Sequence, residues 1–158
     1  VDYREYEIMK YDTVPESVVD ELLADIRPDD LAEMSAYDVE PRALLIQDVA
    51  NASEVWVGRK AGRLVAMWGV VPSPSSSTSC GLWMFSTYEM ERCKRAMLAL
   101  SEAFVVHLAD RFEKIYVEVD SRYERACRWL KRIGFETVLG TTHGKDMIPF
   151  NIMLYTRE

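Results

Sequence analysis

The residues of this chain that could do chemistry are few, and their spacing excludes more than it permits. Glu118 and Asp120 alternate with Tyr116 along the segment Lys114 to Asp120, so the three side chains share one strand face and the carboxylates could reach a cleft. A carboxylate at a strand end also serves as a solvated edge or a helix cap, and Asp120 suits the cap because a helical pattern begins just after it. Tyr123 opens that pattern. His107 lies beside an apolar helical stripe, as a core or boundary histidine does. His143 sits in a turn with Gly144 and is expected to be exposed. Two histidines so far apart do not suggest a metal site. Cys80, Cys93 and Cys127 form no Cys-x-x-Cys pair and are expected to be buried free thiols rather than metal or redox groups. The loop Ser73 to Ser79 is rich in hydroxyls but lacks the glycines of a nucleophile elbow, which argues against a serine hydrolase. Ser86 and Glu89 have the spacing of a capping box ahead of a long helix, and Arg92, Lys94 and Arg95 follow them.

The elements that must position these residues can be read from periodicity. Tyr3 to Met9 alternates like a first strand. Thr13 and Glu16 have capping-box spacing with Pro15 in the first turn, and Val18, Val19, Leu22, Leu23 and Ile26 form the stripe of the helix behind them. Pro28-Asp29-Asp30 breaks that helix and starts a short second one through Met34. A third, Pro41 to Val49, is apolar enough to be largely buried. Val55 to Gly58 and Leu64 to Val70 flank a Lys60-Ala61-Gly62 turn and predict a hairpin. Gly81 to Phe85 gives a fourth strand, and Tyr88 to Asp110 a long helix with Met90, Cys93, Met97, Leu100, Phe104 and Leu108 on one face. After the strand Lys114 to Asp120 comes a short helix ending at Gly134. Ala126, Trp129, Leu130 and Ile133 share its apolar face, so Trp129 is expected to be largely buried, while Arg125, Arg128, Lys131 and Arg132 stay in water. Strands at Glu136 to Leu139 and Ile148 to Tyr155 close the chain.

Composition sets the class. The 158 residues are 49% hydrophobic and 28% charged, as in one ordinary globular domain without internal repeats, spanning 1–158. No apolar run approaches the roughly 20 residues needed to span a bilayer, and the N-terminus is too acidic and polar for a secretory signal. No membrane association is expected. A net charge of −7 argues against nucleic-acid binding.

The strand, the short helix and its Gly134-Phe135-Glu136 exit resemble the closing segment of the GNAT N-acyltransferases. The typical pattern there is Asn-x-x-Ala-x-x-(Leu)-Tyr-x-x-x-Gly-Phe. Ala126, Gly134 and Phe135 match it in register, whereas Tyr123 stands at the Asn position and Leu130 where the family often has Tyr. The resemblance covers nearly the whole chain. It implies an α+β fold: one twisted mixed sheet of about six to seven strands flanked by helices. The fourth and fifth strands would splay apart, often with a bulge in the fourth.

The same resemblance implies where chemistry would lie. The family cradles the pyrophosphate of acyl-CoA on the backbone of a Gln/Arg-x-x-Gly-x-Gly/Ala loop between the fourth strand and the long helix. In register, its basic position falls on Glu89 and its two small positions on Arg92 and Lys94, so none matches. Capping by Ser86 and Glu89 would take the amides a phosphate would use, and Glu89 and Glu91 would repel it. Phe85, Ser86, Arg92 and Lys94 are the candidate cofactor contacts. Glu118 is the candidate base for an amine. Tyr123 would stand in for the acid that Leu130 cannot supply.

More locally, Leu82-Trp83-Met84-Phe85-Ser86-Thr87, Val117 to Arg122, and Arg128-Trp129-Leu130-Lys131 with Gly134-Phe135 resemble GNAT-like proteins of short-tailed phages, described as internal virion protein A or acetyltransferases. That resemblance implies phage morphogenesis in a bacterial host cytoplasm or the virion interior, with a phage or host protein partner. The expectation is a binding or assembly module with a degenerate acyl-CoA site and no cofactor. The alternative is an active N-acyltransferase using acetyl-CoA to modify a host or phage amine.

Overall fold

Residues 2–157 are described by a computed structural model. Strands β1 (Tyr6–Tyr11), β2 (Glu54–Lys60), β3 (Arg63–Pro72) and β4 (Ser79–Ser86) are followed by β5 (Lys114–Asp120), β6 (Glu136–His143) and β7 (Ile148–Thr156). They form one seven-stranded sheet in the order β1-β2-β3-β4-β5-β7-β6. Helices α1 (Glu16–Ala24), α2 (Pro28–Ser35) and α3 (Pro41–Asn51) lie between β1 and β2. Helix α4 (Lys94–Ala109) joins β4 to β5, and α5 (Glu124–Ile133) joins β5 to β6. This is the predicted α+β order. The β2–β3 hairpin forms with Trp56 opposite Trp68, and its turn places Ala61 and Gly62 at positive φ.

Burial explains why β3 reads as an unbroken apolar run. Leu64 to Val70 are all buried because helices cover both faces of the sheet there. On one face Val18, Val19, Leu22, Met34 and Leu45 pack on Val57, Met67 and Phe85. On the other, α4 lays Met97 on Trp68, and Val105 and Leu108 on Val70 and Ile115. Three expectations near the N-terminus need correction. The first strand is Tyr6–Tyr11 rather than Tyr3 to Met9. Pro15, not Thr13, is the N-cap of α1, with no side-chain cap bond. In α3 only Leu44 and Leu45 are buried, and Ile46 is exposed, because the helix lies on the rim.

The decisive feature is the joint between β4 and β5. These parallel strands pair only at Ser79–Lys114, Cys80–Ile115 and Gly81–Tyr116, then diverge. The expected splay is present. The bulge in β4 is not, since β4 keeps register with β3 from Pro72–Cys80 to Ala66–Ser86. Register shifts lie instead in the β2–β3 pairing at Gly58/Arg59, where Val65 of β3 is the extra residue, and in the β6–β7 pairing at Thr137/Leu139, where Val138 of β6 is.

Two expectations about the helices beside this joint are corrected. The long helix does not start at Tyr88: Thr87 Oγ1 accepts the Glu89 N–H at 3.3 Å and winds Tyr88–Arg92 into a tighter 3₁₀ turn, so α4 begins at Lys94 with no side-chain cap. The Ser86–Glu89 capping box therefore does not form. Helix α5 buries none of its residues fully, and Trp129 is half-buried rather than largely buried: it packs against the cluster of Trp68, Met90 and Met97 while part of it lines the opening beside the joint. Gly134 ends α5 at φ +122°, a conformation side chains resist, and donates its N–H to Leu130. Phe135 beyond it is 2% exposed in the core with Val105, Leu108 and Met153.

Candidate functional site

The splay opens a cleft of about 1370 Å³ running from α4 and α5 on one side of the sheet to α2 and α3 on the other. Its walls are unpaired strand edges. In an antiparallel strand, alternate residues turn both N–H and C=O to the same side. Ser86 turns its pair away from β3: its C=O accepts the Arg27 N–H at 3.0 Å and its N–H donates to Asp30 Oδ2 at 3.2 Å. Met84, two residues back, therefore turns its own main-chain groups into the cleft. Across the gap the Asp120 N–H donates to Glu33 Oε1 at 2.8 Å, and Glu118 occupies the equivalent open-edge position two residues earlier. Asp30 and Glu33 lie three apart on α2, on one helical face, so a single helix closes both diverging strand ends.

On the α4–α5 side the rim is cationic. Lys94 and Arg95 in the first turn of α4 and Arg125, Arg128 and Arg132 on α5 line the cleft. The uncapped start of α4 adds its positive dipole end. One anion sits among these cations. Glu91 accepts from Lys94 at 2.7 Å and Arg125 at 2.5 Å, with Arg27 at 3.4 Å, and Lys94 above all holds its carboxyl down to about 2. Of the predicted cofactor contacts, Phe85, Ser86 and Lys94 line the cleft. Arg92 is drawn aside by Glu89 at 3.7 Å, is largely exposed and does not line it.

On the α2–α3 side the character reverses. Tyr123 is 7% exposed, lies 5.7 Å from the Arg27 guanidinium, and burial pushes its phenol well above the usual range. Glu118 lines the cleft and its Oε2 accepts from His143 Nε2 at 2.8 Å, and His143 is half-buried rather than exposed. The ring of His143 packs on Tyr37 at 4.6 Å and Phe150 at 4.7 Å. That contact exists because the β6–β7 turn docks on the α2–α3 turn, Lys145 N–H donating to the Asp38 carboxylate. Asp120 does not cap α5: it takes the Arg122 N–H and guanidinium, and Tyr123 occupies the N-cap. His107 is exposed at the cleft margin rather than in the core, and Cys127 is only half-buried.

Sequence reasoning missed Asp30, Glu33 and Tyr37. Their spacing of three and four residues, with Met34 beside Glu33, was the available sign that α2 turns carboxylates inward. Burial raises Asp30 to about 6, opposed by Arg27, and raises Glu33 to about 8 with no cation to oppose it. Asp48 on α3, half-buried, is raised to about 6 by desolvation. Among the described residues no group of His, Cys, Asp and Glu could hold a metal ion, and no helix is long and apolar enough to cross a membrane.

Gly69 shapes this side of the cleft. It pairs with Trp83, and a Cβ there would lie 2.3 Å from the Trp83 indole. Gly69→Ala must therefore displace the ring, at an expected cost of about 1–3 kcal/mol for overpacking. Urea unfolding measures the loss, and a shifted tryptophan emission in the folded state reports the displaced indole.

No protein-family model and no curated protein matches the sequence. Solved structures do. The aminoglycoside N(6')-acetyltransferase from Legionella pneumophila superposes with TM-score 0.73 at 13% identity, covering 96% of this chain and 92% of that one. The yncA protein of Salmonella typhimurium, solved with its cofactor acetyl-CoA, gives 0.68 at 11% identity over 98% and 95%. The aminoglycoside acetyltransferase AAC(6')-Ib in complex with coenzyme A gives 0.69 at 15% over 96% and 95%. The fold of this chain is thus the GNAT acetyltransferase fold.

Proposed function

We propose that this protein is an acyl-CoA-dependent N-acyltransferase. The observation that carries the reading is the pair of unpaired strand edges, at Met84 and Glu118, facing each other across an open cleft whose one rim is cationic and whose other rim is acidic. An extended ligand with amides along its length and phosphates at one end matches those edges and the rim formed by Lys94, Arg95, Arg125, Arg128 and Arg132. Phosphate binding would rest on side-chain cations and the start of α4, because Glu89, Arg92 and Lys94 stand where a glycine-rich loop would offer backbone. The bound thioester supplies an activated acyl group. Tyr123, kept protonated by burial, is suited to return a proton to a leaving thiolate.

Calorimetric titration with acetyl-CoA tests this. Binding is expected in the range of ordinary substrate constants, about 1 μM–1 mM. Reversing Arg95 and Arg125 to Glu should abolish it, and added salt should weaken it. Glu91→Gln removes the internal anion at the rim and should tighten binding about two- to five-fold, the effect of one charge near a helix start. Wild-type protein that binds no acetyl-CoA at millimolar concentration overturns the reading.

Glu91 also favours a second reading. A carboxylate seated among Arg27, Lys94 and Arg125 gives those cations a partner within the chain. With the missing loop glycines, this supports a binding or virion-assembly module of a short-tailed phage. Its partner would be a phage or host protein in the bacterial cytoplasm or virion. Absent acetyl-CoA binding is its expected result.

A further inference from the structure

We propose that Glu33 is the base that takes a proton from the acceptor, and that the acceptor is an alkylammonium entering from the α2–α3 side of the cleft. The inference rests on the acyltransferase reading and names the substrate class and proton acceptor of that site.

Three observations place the base on α2 and not on β5. Glu33 is 9% exposed yet lines the cleft. Its Oε1 accepts the Asp120 N–H at 2.8 Å, and its Oε2 has no hydrogen-bond partner among the described residues. A buried carboxyl with one oxygen free and no counter-cation is costly, and a cation entering the cleft compensates it. Asp30, one turn earlier, also has one oxygen without a partner, but its charge is already met: Arg27 at 3.0 Å and the Ser86 N–H both engage its Oδ2, so an entering cation has less to compensate there. Glu118, the residue singled out by sequence, is 41% exposed at the side chain and tied to His143, which suits it to attract a cation on approach. The walls agree with this assignment. Tyr37, Trp83 and Phe85 present aromatic surface to the same space, and such surface favours an ammonium with an aliphatic chain.

The charged and titratable groups around Glu33 come from every packed element. Asp30 and Arg27 belong to α2 and its N-cap, Tyr37 follows it, and Asp48 belongs to α3. Glu118 and Asp120 lie on β5 with Arg122 paired to Asp120, Tyr123 heads α5, and His143 ends β6. The acidic groups outnumber the cations, so the field favours a positive ligand. Burial lifts Glu33 to about 8, which matches a base for an amine. In the step, the ammonium gives one proton to Glu33 Oε2, and the freed nitrogen lone pair forms the C–N bond at the acyl carbon. The C–S bond breaks with its electron pair to sulfur, the second nitrogen proton ends on that sulfur, and Glu33 passes its own proton to water.

The test uses acetyl-CoA and 1,5-diaminopentane with wild type, Glu33→Gln and Glu33→Asp. Glutamine can still accept the Asp120 N–H, so folding is preserved. With coenzyme A bound, which carries no acyl group to transfer, adding the diamine should lower the Glu33 titration midpoint, followed by side-chain carbon NMR, by about one pH unit or more, as expected for a cation beside a carboxylate. Thiol release should fall about 10²–10⁴-fold in Glu33→Gln, the span of general-base effects, with acetyl-CoA affinity unchanged. The acidic limb of the kcat/KM profile should vanish in Glu33→Gln and return in Glu33→Asp. A Glu33 midpoint unmoved by the diamine, or a pH profile retained in Glu33→Gln, overturns this inference while acetyl-CoA binding stands. Loss of acetyl-CoA binding in the wild type instead overturns the acyltransferase reading.

Discussion

Unfolding free energy is expected to fall as pH rises from 5 to 9, opposite to the usual gain of stability above the carboxylate range. Glu33 has its folded value raised from 4.5 to about 8, and Asp30 and Asp48 theirs from 3.8 to about 6, all three chiefly by burial. A carboxyl that binds its proton more tightly when folded contributes fully below its unfolded value and loses that contribution as pH rises through the folded one. Asp30 and Asp48 thus weaken the fold between about pH 4 and 6, and Glu33 continues the decline to about pH 8. A tenfold change in proton affinity is worth about 1.4 kcal/mol, so Glu33 alone sets a ceiling of roughly 5 kcal/mol. Glu33→Gln should remove most of the slope above pH 6. Glu91, held down to about 2, acts at the other end, its contribution fading only as pH falls below about 4. Urea unfolding at pH 5, 7 and 9 measures the trend, and a wild type whose stability is flat or rising from pH 6 to 9 contradicts the burial assigned to Glu33.

Phe135→Ala is expected to cost about 3–5 kcal/mol, the range for a large aromatic removed from a core. The side chain is 2% exposed, packs with Val105, Leu108 and Met153, and lies 5.7 Å from the Tyr155 ring. Trp129→Ala should cost less, within the roughly 0.5–3 kcal/mol of ordinary substitutions, because that side chain is only half-buried and part of it lines the cleft. Equilibrium denaturation of the pair ranks them. A larger loss at Trp129 than at Phe135 would mean that α5 lies closer to the sheet than described.

The fold was legible because its signals are local. Alternation marked β5 to the residue, and Gly134-Phe135 marked the end of α5. The start of α4 was misread because Thr87 competes with Ser86 for the same turn, and sequence spacing cannot show which hydroxyl meets the Glu89 N–H. Trp129 was misread because an apolar helical face reveals that something apolar opposes it, not how much of the ring a neighbouring cleft leaves uncovered. On the site, Phe85, Ser86, Lys94, Glu118 and Tyr123 do line one cleft. Glu33 escaped because acidic helix residues are ordinarily solvated, and only the divergence of two distant strands creates an amide for it to meet.

That divergence also divides the molecule mechanically. Four antiparallel strands, β1 to β4, form one plate, and β5, β7 and β6 form another, joined by three registered residue pairs, the crossing helices and the α2 carboxylates. Two plates so hinged behave as separate cooperative blocks in which partial opening starts at the seam and leaves each plate intact. Native-state hydrogen exchange would then sort the main-chain amides into two protection levels, one for each plate. The amides of Ser86 and Asp120 would be released together, since one helix holds them both.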